Sequence, residues 1–365
     1  MLHLQLTSDL ALDQWKASSD ADRQPHHLMG EMRDAFGAVT HPPRPDQVRL
    51  IDRLLATLCD EPAQWASARL LSKQVDDRDV VFSVSEDMTL PMLFWLQARR
   101  KRTAMISTVM NPGRLRMKVL FRAFRAGHRL GRCFALTPLT ADIMRDELGL
   151  PAAKVQRFPM ETDIAFFRPV TRSRFRDRPL VFAAGLEQRD YTTLADATAD
   201  LDLDVEVCAK SPDATSRTRM SMPTELPGNM RFHPYEWTDY RRMFSEADVI
   251  VVPVLPNRYG AGLTTMVEGM ACGRPVIVTD DSGLPAELAA QGAIMTVPAQ
   301  DPVALQAAIE KILANPDLAE SLGATARNVA ERVFSTANAV ETLASVIDDI
   351  APGAAKLQRH AAKAA

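Results

Sequence analysis

Short apolar runs alternate along this 365-residue chain with stretches in which apolar residues recur at helical spacing. The runs at 79–87, 103–110 and 133–138 predict strands, because a strand inside a parallel sheet is covered on both faces. Stretches with the 3.6-residue period of helices follow these runs. They cover 90–100, 114–132 and 140–149. This alternation predicts a parallel, doubly wound α/β sheet.

The first 78 residues show the alternation least clearly. We predict helices at 27–36 and 47–72, the second because several apolar residues share one face. Those residues are Val48, Ile51, Leu54, Leu55 and Leu58. Four histidines also lie in this region, but their spacings match no metal-ligand motif, so we interpret them as exposed loop residues. They are His3, His26, His27 and His41.

A second alternation begins at residue 180, after a proline-rich, weakly patterned connection at 151–180. Its six predicted strands are LVFAAG, DVEVCA, MRFHP, DVIVVPVL, PVIVTDD and AIMTVP, and its last helices cover about 302–314, 316–332 and 335–350. We therefore predict two Rossmann-like domains facing a cleft, at 1–165 and 166–335. The remaining segment, 336–365, is predicted to be a helix and tail that cross back to the first domain.

The composition is that of a globular protein, with 46% hydrophobic and 24% charged residues. No apolar run approaches the roughly 20 residues of a membrane span, and the N-terminus lacks the pattern of a secretory signal. The four cysteines have no paired spacing, which predicts free thiols in a cytosolic protein. They are Cys59, Cys133, Cys208 and Cys272.

The net charge of −3 conceals a strongly basic stretch. Between Met88 and Ala141 the chain has eleven Lys or Arg residues and no Asp or Glu. The basic residues lie within 99–132, where leucine, valine and phenylalanine are interleaved with arginine. We expect one face of the first domain to meet an anionic partner.

The segment 257–281 combines a glycine-rich turn, a short helix and an apolar strand. Backbone N–H groups at a helix start are unpaired and carry the positive end of the helix dipole, so they suit a diphosphate. The predicted amides are those of Gly262, Leu263, Thr264 and Thr265. Glu268 follows one turn later, where its carboxylate is placed to accept hydrogen bonds from ribose hydroxyls. This pattern indicates a nucleotide-sugar site.

Four segments of the chain resemble glycosyltransferase family 4, whose members have the two-domain GT-B architecture. They are 135–169, 183–197 (AAGLEQRDYTTLADA), 247–254 (ADVIVVPV) and 262–288, the last of which (GLTTMVEGMACGRPVIVTDDSGLPAEL) carries the family signature. The resemblance implies a donor domain at the C-terminal end and an acceptor domain before it. It covers about residues 130–335 and barely touches the first 80.

The resemblance assigns roles to three residues of the donor domain. Glu268 matches the second signature glutamate, which holds the ribose; the alternative is a carboxylate that only stabilises its helix. Arg189 stands in place of a phosphate-binding lysine and would offset charge on the departing diphosphate; the alternative is a surface pair with Glu187 or Asp190. Lys210 lies where the family approaches the base or diphosphate, unless it is a solvated loop lysine.

The first signature glutamate is absent, because Gly260 stands at its position. The sugar contacts must then come from Asn257, Arg258 or Tyr259, or from the amides of Ala261 and Gly262. This departure also motivates an alternative hypothesis, a catalytically silent GT-B protein that binds a nucleotide sugar or a membrane.

The resemblance implies retention of anomeric configuration without a metal ion, because the helix start and Arg189 replace the cation. Asp202-Leu203-Asp204 has the Asp-x-Asp pattern of metal-dependent glycosyltransferases, but it lies in a turn before a strand, where aspartates are common. For the acceptor we propose Glu86 and Asp87, which follow the first clear strand. The alternative is that they cap the next helix.

These observations predict a retaining hexosyltransferase with no tightly bound cofactor, which takes a nucleotide-diphosphate sugar, with UDP-sugars favoured. The basic stretch 99–132 predicts docking on anionic lipid headgroups, and therefore a lipid or lipid-linked acceptor in glycolipid biosynthesis. We expect a cytoplasmic protein, peripheral on the inner face of the membrane. The alternatives are a soluble acceptor and a solvated basic face; nucleic acid is disfavoured because stacking aromatics are missing.

Overall fold

The computed structural model describes residues 1–59, 61–170, 177–209, 220–257, 260–280 and 283–354. The chain divides into two compact units. The first consists of Met1–Ala17, His27–Pro159 and Ala339–Ala365, and the second of Ser18–His26 and Met160–Asn338. The functional assignment of the domains 1–165, 166–335 and 336–365 stays a prediction.

The first unit is built on a sheet of six parallel strands in the order β2-β1-β3-β4-β5-β6. The strands are β1 (Leu2–Gln5), β2 (Val39–His41), β3 (Val80–Ser83), β4 (Ala104–Val109), β5 (Leu130–Ala135) and β6 (Val155–Arg157). The helices in this part of the chain are α1 (Leu12–Asp20), α2 (Leu28–Phe36), α3 (Leu50–Ala56), α4 (Pro62–Gln74), α5 (Glu86–Ala98), α6 (Leu115–Ala123), α7 (Ala126–Arg129) and α8 (Pro138–Asp146).

Two apolar clusters cover the two faces of this sheet. Val81 of β3 belongs to one cluster while its neighbours Val80 and Phe82 belong to the other, as the alternation of side chains along a strand requires. Helices α4, α5 and α6 supply the first cluster. Helix α2 and the last helix of the chain, α15 (Thr336–Ile350), supply the second.

The second unit is built on a parallel sheet in the order β11-β9-β7-β12-β13-β14. Its strands are β7 (Leu180–Ala184), β9 (Asp204–Cys208), β11 (Met230–Phe232), β12 (Val249–Val252), β13 (Val276–Val278) and β14 (Met295–Thr296), with the short pair β8 (Arg189–Asp190) and β10 (Met220–Ser221) beside it. Its helices are α9 (Tyr191–Thr198), α10 (Trp237–Glu246), α11 (Leu263–Ala271), α12 (Gly283–Ala290), α13 (Pro302–Leu313) and α14 (Pro316–Val333).

The strand order of the second unit reverses between β7 and β12. From β7 the chain builds outward to β9 and β11, and then returns to β12 on the other side of β7 and continues to β13 and β14. Ligands of open α/β sheets bind at the carboxyl ends of the strands where the order reverses. The loops that follow β7 and β12 are therefore the place to look for a site.

The prediction of two Rossmann-like sheets is confirmed, but some predicted elements were wrong. The helix predicted at 47–72 is two helices, α3 and α4, and its apolar face points largely to solvent. The helix predicted at 114–132 ends early, because Arg125 has a left-handed backbone (φ 52°) and β5 already begins at Leu130. Strands β1 and β2 were not predicted because neither is an apolar run: β1 buries the polar His3 and Gln5, and β2 contains Thr40 and His41.

Among the described residues, no helix is long and apolar enough to span a bilayer. All four cysteines are free thiols and all are buried. Burial raises the pKa of the Cys133 and Cys272 thiols, the latter to about 12. The cysteines therefore act as small apolar side chains of the two cores.

Candidate functional site

Helix α11 begins at a glycine that no other residue replaces easily. Gly262 has a left-handed backbone (φ 89°), and a Cβ there would lie 2.7 Å from Cγ1 of Val252. The first helical hydrogen bond is donated by the amide of Met266 to the Gly262 carbonyl oxygen, at 3.0 Å. The amides of residues 263–265 therefore precede the helical hydrogen bonds, and no side chain among the described residues caps this end. Such a helix start binds anions readily.

The turn before the helix is held by an asparagine side chain. Oδ1 of Asn257 accepts hydrogen bonds from the amides of Gly260 (2.9 Å) and Ala261 (3.1 Å). The amide of Ala261, predicted to contact the ligand, is thus already engaged. A ligand contact there requires this bond to open, and it stays a prediction. Arg258 and Tyr259, the other predicted sugar contacts, lie outside the described residues.

Arg189 lies directly beside this helix start. Its guanidinium is buried and donates from Nε to the Ala184 carbonyl oxygen (2.7 Å), from one terminal nitrogen to the Glu187 carbonyl oxygen (2.8 Å), and from the other to Oγ1 of Thr265 (3.1 Å). These bonds hold the guanidinium against the loop after β7 and the first turn of α11. The arginine is therefore a fixed part of the site rather than a mobile surface side chain.

Two glycines make room for that guanidinium. A Cβ at Gly185 (φ 99°) would lie 2.4 Å from a terminal nitrogen of Arg189, and a Cβ at Gly262 would lie 3.6 Å from the other. The loops after β7 and β12 are also joined by backbone bonds from Asp190 to Pro253 (3.0 Å) and from Leu255 to Gln188 (2.8 Å). The structure thus brings Arg189 next to the backbone amides that are predicted to bind the diphosphate. These amides lie more than 70 residues after Arg189 in the sequence.

Glu268 is buried in the middle of α11. Its Oε2 accepts a hydrogen bond from the Tyr240 hydroxyl at 3.0 Å. Burial raises the pKa of the Glu268 carboxyl to about 8, although the Tyr240 hydrogen bond and the nearby positive charge of Arg189 both lower it. A carboxyl group with this pKa is largely neutral near pH 7.

Tyr240, on α10, was not singled out in the sequence. Its ring packs edge-on against Phe182 of β7, Phe244 of α10 and Phe167, with centroids 4.9 to 6.2 Å apart. These contacts orient the Tyr240 hydroxyl toward Glu268, which is 28 residues away in the sequence. No local pattern reveals such a pairing, because it depends on how α10 and α11 pack.

The other predicted donor residues divide into buried and exposed ones. The side chains of Leu263 and Thr265 are buried, whereas that of Thr264 is exposed. The predicted contact for these residues is the backbone amide, so side-chain burial does not prevent it. Lys210 lies outside the described residues, and its predicted role in binding the base or diphosphate stays a prediction.

Glu86 and Asp87, the predicted acceptor residues, lie at the start of α5 and not at the end of a strand. Ser85 caps this helix, with its side chain accepting from the Met88 amide. Glu86 instead accepts hydrogen bonds from the amides of Met110 (2.7 Å) and Asn111 (3.1 Å), just after β4. Burial, followed by the charge of Asp87, raises its pKa. The Glu86 side chain thus links the start of α5 to the backbone just after β4. Its role toward an acceptor stays a prediction.

Asp87 is partly exposed and lies near two residues of the basic stretch, Arg114 (3.8 Å) and Arg116 (3.7 Å). Lys118 likewise forms an ion pair with Glu147, and Arg132 pairs with Asp349. The basic stretch is therefore partly neutralised by acidic residues from outside it.

Asp202 and Asp204, which match the Asp-x-Asp pattern, both pair with Arg178, at 2.8 and 3.4 Å. Within the described ranges, no group of three or more His, Cys, Asp or Glu residues is arranged to hold a metal ion. The two aspartates thus form surface ion pairs, and a reaction without a metal ion stays a prediction.

The histidines of the first 41 residues have partners of their own, contrary to the interpretation as exposed loop residues. Nδ1 of His3 lies 2.9 Å from Nε2 of His41, and burial lowers the pKa of His41 to about 4. His26 contacts Asp163 at 2.8 Å, and His27 caps α2.

Comparison with known proteins finds similarity over the part of the chain that carries this site. Residues 180–315 match the family Glycosyl transferases group 1. The D-inositol 3-phosphate glycosyltransferase of Corynebacterium jeikeium (strain K411) is 25% identical over 232 residues, which are 58% of this chain and 54% of that protein. The chain thus aligns with about half the length of this curated relative.

Solved structures resemble almost the whole chain. Sucrose-phosphate synthase (tll1590) from Thermosynechococcus elongatus has a TM-score of 0.70 at 16% identity, covering 96% of this chain and 98% of that one. Anabaena Alr3699/HepE in complex with UDP-glucose has a TM-score of 0.68 at 12% identity, covering 95% and 99%. The expected architecture is confirmed: the chain has the GT-B fold, and its residues 180–315 match the family Glycosyl transferases group 1.

Proposed function

We propose that this protein transfers a hexose from a nucleotide-diphosphate sugar to a hydroxyl group of a lipid or lipid-linked acceptor at the cytosolic face of a membrane. The part of this proposal that concerns the sugar donor rests on one observation. Three features lie close together in the region that matches glycosyl transferases group 1. These are the uncapped start of α11, the buried guanidinium of Arg189 beside it, and Glu268 one turn further on.

Each feature has a part in donor binding. The amides of residues 263–265 and the guanidinium of Arg189 suit the diphosphate, and together they offset the charge that develops as it leaves. The carboxylate of Glu268 suits the ribose hydroxyls. Structures of HepE with UDP and with UDP-glucose have the same fold, which supports a UDP-sugar as donor.

We propose that the reaction retains the anomeric configuration. The acceptor hydroxyl attacks the anomeric carbon on the face that the diphosphate leaves, so no double-displacement nucleophile and no metal ion are required. Analysis of the product anomer by NMR tests this step, and an inverted anomer would contradict it.

The lipid acceptor and a peripheral position on the inner membrane face are proposed from the basic stretch 99–132. Arg100, Arg114, Arg116 and Arg122 are exposed in the first unit, and each basic residue near an anionic surface contributes about 1 kcal/mol. This attraction is electrostatic, so binding to anionic vesicles should fall steeply as salt is added. Vesicle binding that is absent at low salt would contradict the membrane proposal.

A soluble, phosphorylated acceptor is the second candidate. The names of the similar proteins favour it, since they include a D-inositol 3-phosphate glycosyltransferase and a sucrose-phosphate synthase. A cavity of ≈ 290 Å³ also lies beside the carboxyl ends of β1 and β2, lined by residues that include Asp9, Asp13 and Arg33. Arg33 pairs there with Asp13 at 2.7 Å, so an anionic acceptor would have to displace that carboxylate.

One assay separates these candidates. Release of UDP from a panel of UDP-sugars is measured with lipid extracts, with phosphorylated polyols, and without acceptor. Stimulation by lipids alone supports the first candidate, and stimulation by soluble phosphates alone supports the second. Nucleotide binding without hydrolysis or transfer from any donor would favour a catalytically silent protein, as Gly260 suggests.

A further inference from the structure

Helix α3 exposes its leucines to solvent and buries its acidic residue. Its apolar residues Leu50 and Leu54 are 81% and 67% exposed, and Ile51 of the same helix and Leu58, just after it, are also exposed. On the opposite side, Asp52 is completely buried. A helix of a soluble protein normally buries its leucines and exposes its carboxylates.

A polar anchor holds the helix in this orientation. The carboxylate of Asp52 accepts hydrogen bonds from Nε and a terminal nitrogen of Arg69 on α4, both at 2.9 Å, and from the Arg49 amide at 2.9 Å. Arg69 also donates to the Gln47 carbonyl oxygen at 2.7 Å. Because the buried pair fixes α3 on α4, the leucine face is left directed away from the core.

Helix α6 presents a second pair of exposed apolar residues. Leu115 and Val119 are one helical turn apart and are 75% and 59% exposed, while Met117, Leu120 and Phe121 on the other side are buried. The buried side of α6 belongs to the same apolar cluster against which Leu55 and Ala56 of α3 pack. Helices α3 and α6 therefore lie on the same side of the sheet, with α3 packed on α4 and α6 next to α5.

Most charges beside the two apolar faces are positive, although Asp87 pairs with Arg114 and Arg116, and Asp46 and Glu61 are exposed on either side of α3. Arg49 and Arg53 are the exposed charged residues between 49 and 58, and Arg114, Arg116 and Arg122 are exposed around Leu115 and Val119. We propose that α3 and α6 form one docking surface, which inserts its apolar side chains into an anionic lipid bilayer. The arginines then lie at the level of the headgroups, as in helices that bind in the plane of the interface.

A bilayer suits this surface better than a second copy of the chain. In a symmetric dimer the same patch faces itself, so the arginines of the two copies would be brought together. An anionic lipid surface instead places negative charge against each arginine and apolar acyl chains against the leucines.

This inference extends the membrane association of the proposed function, but its test measures vesicle binding and not sugar transfer. The wild-type protein is sedimented with vesicles of phosphatidylcholine and phosphatidylglycerol at low salt and in about 1 M NaCl, where the screening length is about 3 Å. We expect part of the binding to survive high salt, because insertion of apolar side chains is not screened. A purely electrostatic attachment would be lost.

Three variants are compared in high salt. The pairs Leu50→Ser with Leu54→Ser, and Leu115→Ser with Val119→Ser, should each weaken binding about tenfold or more. Val303→Ser is the matched control, since Val303 of α13 is 76% exposed but lies in the second unit, and it should bind as the wild type does. Thermal unfolding verifies that each variant is folded.

A direct reporter keeps the proposal testable if a double variant unfolds. In a Leu54→Trp variant, brominated lipids should quench fluorescence beyond any quenching of the four native tryptophans, which the wild type measures. The proposal is overturned if the introduced tryptophan is not quenched, if the folded serine variants bind as the wild type does, or if wild-type binding vanishes in high salt. Sedimentation of the wild type as a dimer that Leu50→Ser with Leu54→Ser dissociates would also overturn it, because a second copy would then occupy the surface.

Discussion

The buried carboxyl group of Glu268 makes the stability of the second unit depend on pH. Its pKa is about 8 in the folded chain, against an ordinary value of 4.5. The neutral form is thus favoured by folding, so its contribution to stability is complete below about pH 4.5 and is lost as the pH rises toward 8. A ligand that needs the ionised carboxylate must bring about the loss of this proton.

We expect Glu268→Gln to remove this pH dependence. The amide stays neutral at every pH, so the variant should gain stability relative to the wild type between pH 5 and 8.5, by up to about 4 kcal/mol at 1.36 kcal/mol per pKa unit. Urea unfolding at several pH values measures the difference. A constant difference across this range would contradict the raised pKa. Glu268→Ala, which removes the proposed ribose contact, should cripple donor use in a transfer assay.

The hydrogen bond from Tyr240 orients the Glu268 carboxylate, and Tyr240→Phe should weaken UDP binding about three- to tenfold, since such a bond is worth about 0.5–1.5 kcal/mol. Loss of the bond also raises the pKa of Glu268 further, so the pH dependence of binding should move to higher pH. Titration calorimetry at several pH values measures both effects.

Tyr235→Phe is the matched control for this variant. The Tyr235 hydroxyl donates to a different carboxylate, Oε2 of Glu206, at 2.9 Å. Its removal should leave the pH dependence of UDP binding unchanged. Equal behaviour of the two variants would mean that Tyr240 has only a packing role.

At the scale of elements, helix α11 is positioned by a close contact with helix α14. A Cβ at Gly323 of α14 would lie 2.4 Å from the carbonyl oxygen of Gly273, which follows α11. Arg327 of α14 reinforces the contact by donating to the carbonyl oxygens of Ala271 (2.6 Å) and Phe167 (2.9 Å). The position of helix α11 thus depends on Gly323, which lies outside the proposed donor site.

Gly323→Ala should therefore destabilise the protein by about 1–3 kcal/mol, because the added methyl group pushes α14 away from α11. Denaturant unfolding measures this loss. Gly228→Ala is the control, since a Cβ there meets nothing within 4 Å, and it should change stability little. If the two variants were equally stable, the close approach of α14 to α11 would be in doubt.

At the scale of the whole molecule, each unit has its own sheet and its own apolar clusters, and the proposed donor site lies within the second unit. Binding of UDP at that site should stabilise this unit by mass action, by about 2.7 kcal/mol at 100 times the dissociation constant. Hydrogen exchange should slow in β7, β12 and α11. Unchanged exchange in all three elements at saturating UDP would contradict the proposed donor site.

Local sequence patterns determined most of the fold. The apolar runs of β3, β4, β7 and β12 and the helical periods between them predicted two parallel sheets, because strand and helix periods are set by backbone geometry. The glycine turn before α11 was also predicted, since a left-handed backbone at the start of a helix favours glycine. Patterns failed where a strand contains polar residues, as in β1 with His3 and Gln5 and in β2 with Thr40 and His41.

What the sequence left open was the environment of each side chain. The burial of Arg189 between two glycines, the pairing of Tyr240 with Glu268 and the bracing role of Glu86 join residues that are distant in sequence, and only packing brings them together. The pKa of Glu268 depends on that packing as well.

The sequence by itself therefore determined the two Rossmann-like sheets and the position of helix α11, because both follow from local hydrogen bonding and backbone conformation. Only the tertiary structure decided the direction in which α3 faces. An apolar helical face predicts burial, but the pairing of Asp52 with Arg69 turned the carboxylate inward and the leucines outward. Periodicity reveals that a helix has two faces, whereas contacts with its neighbours decide which face is buried.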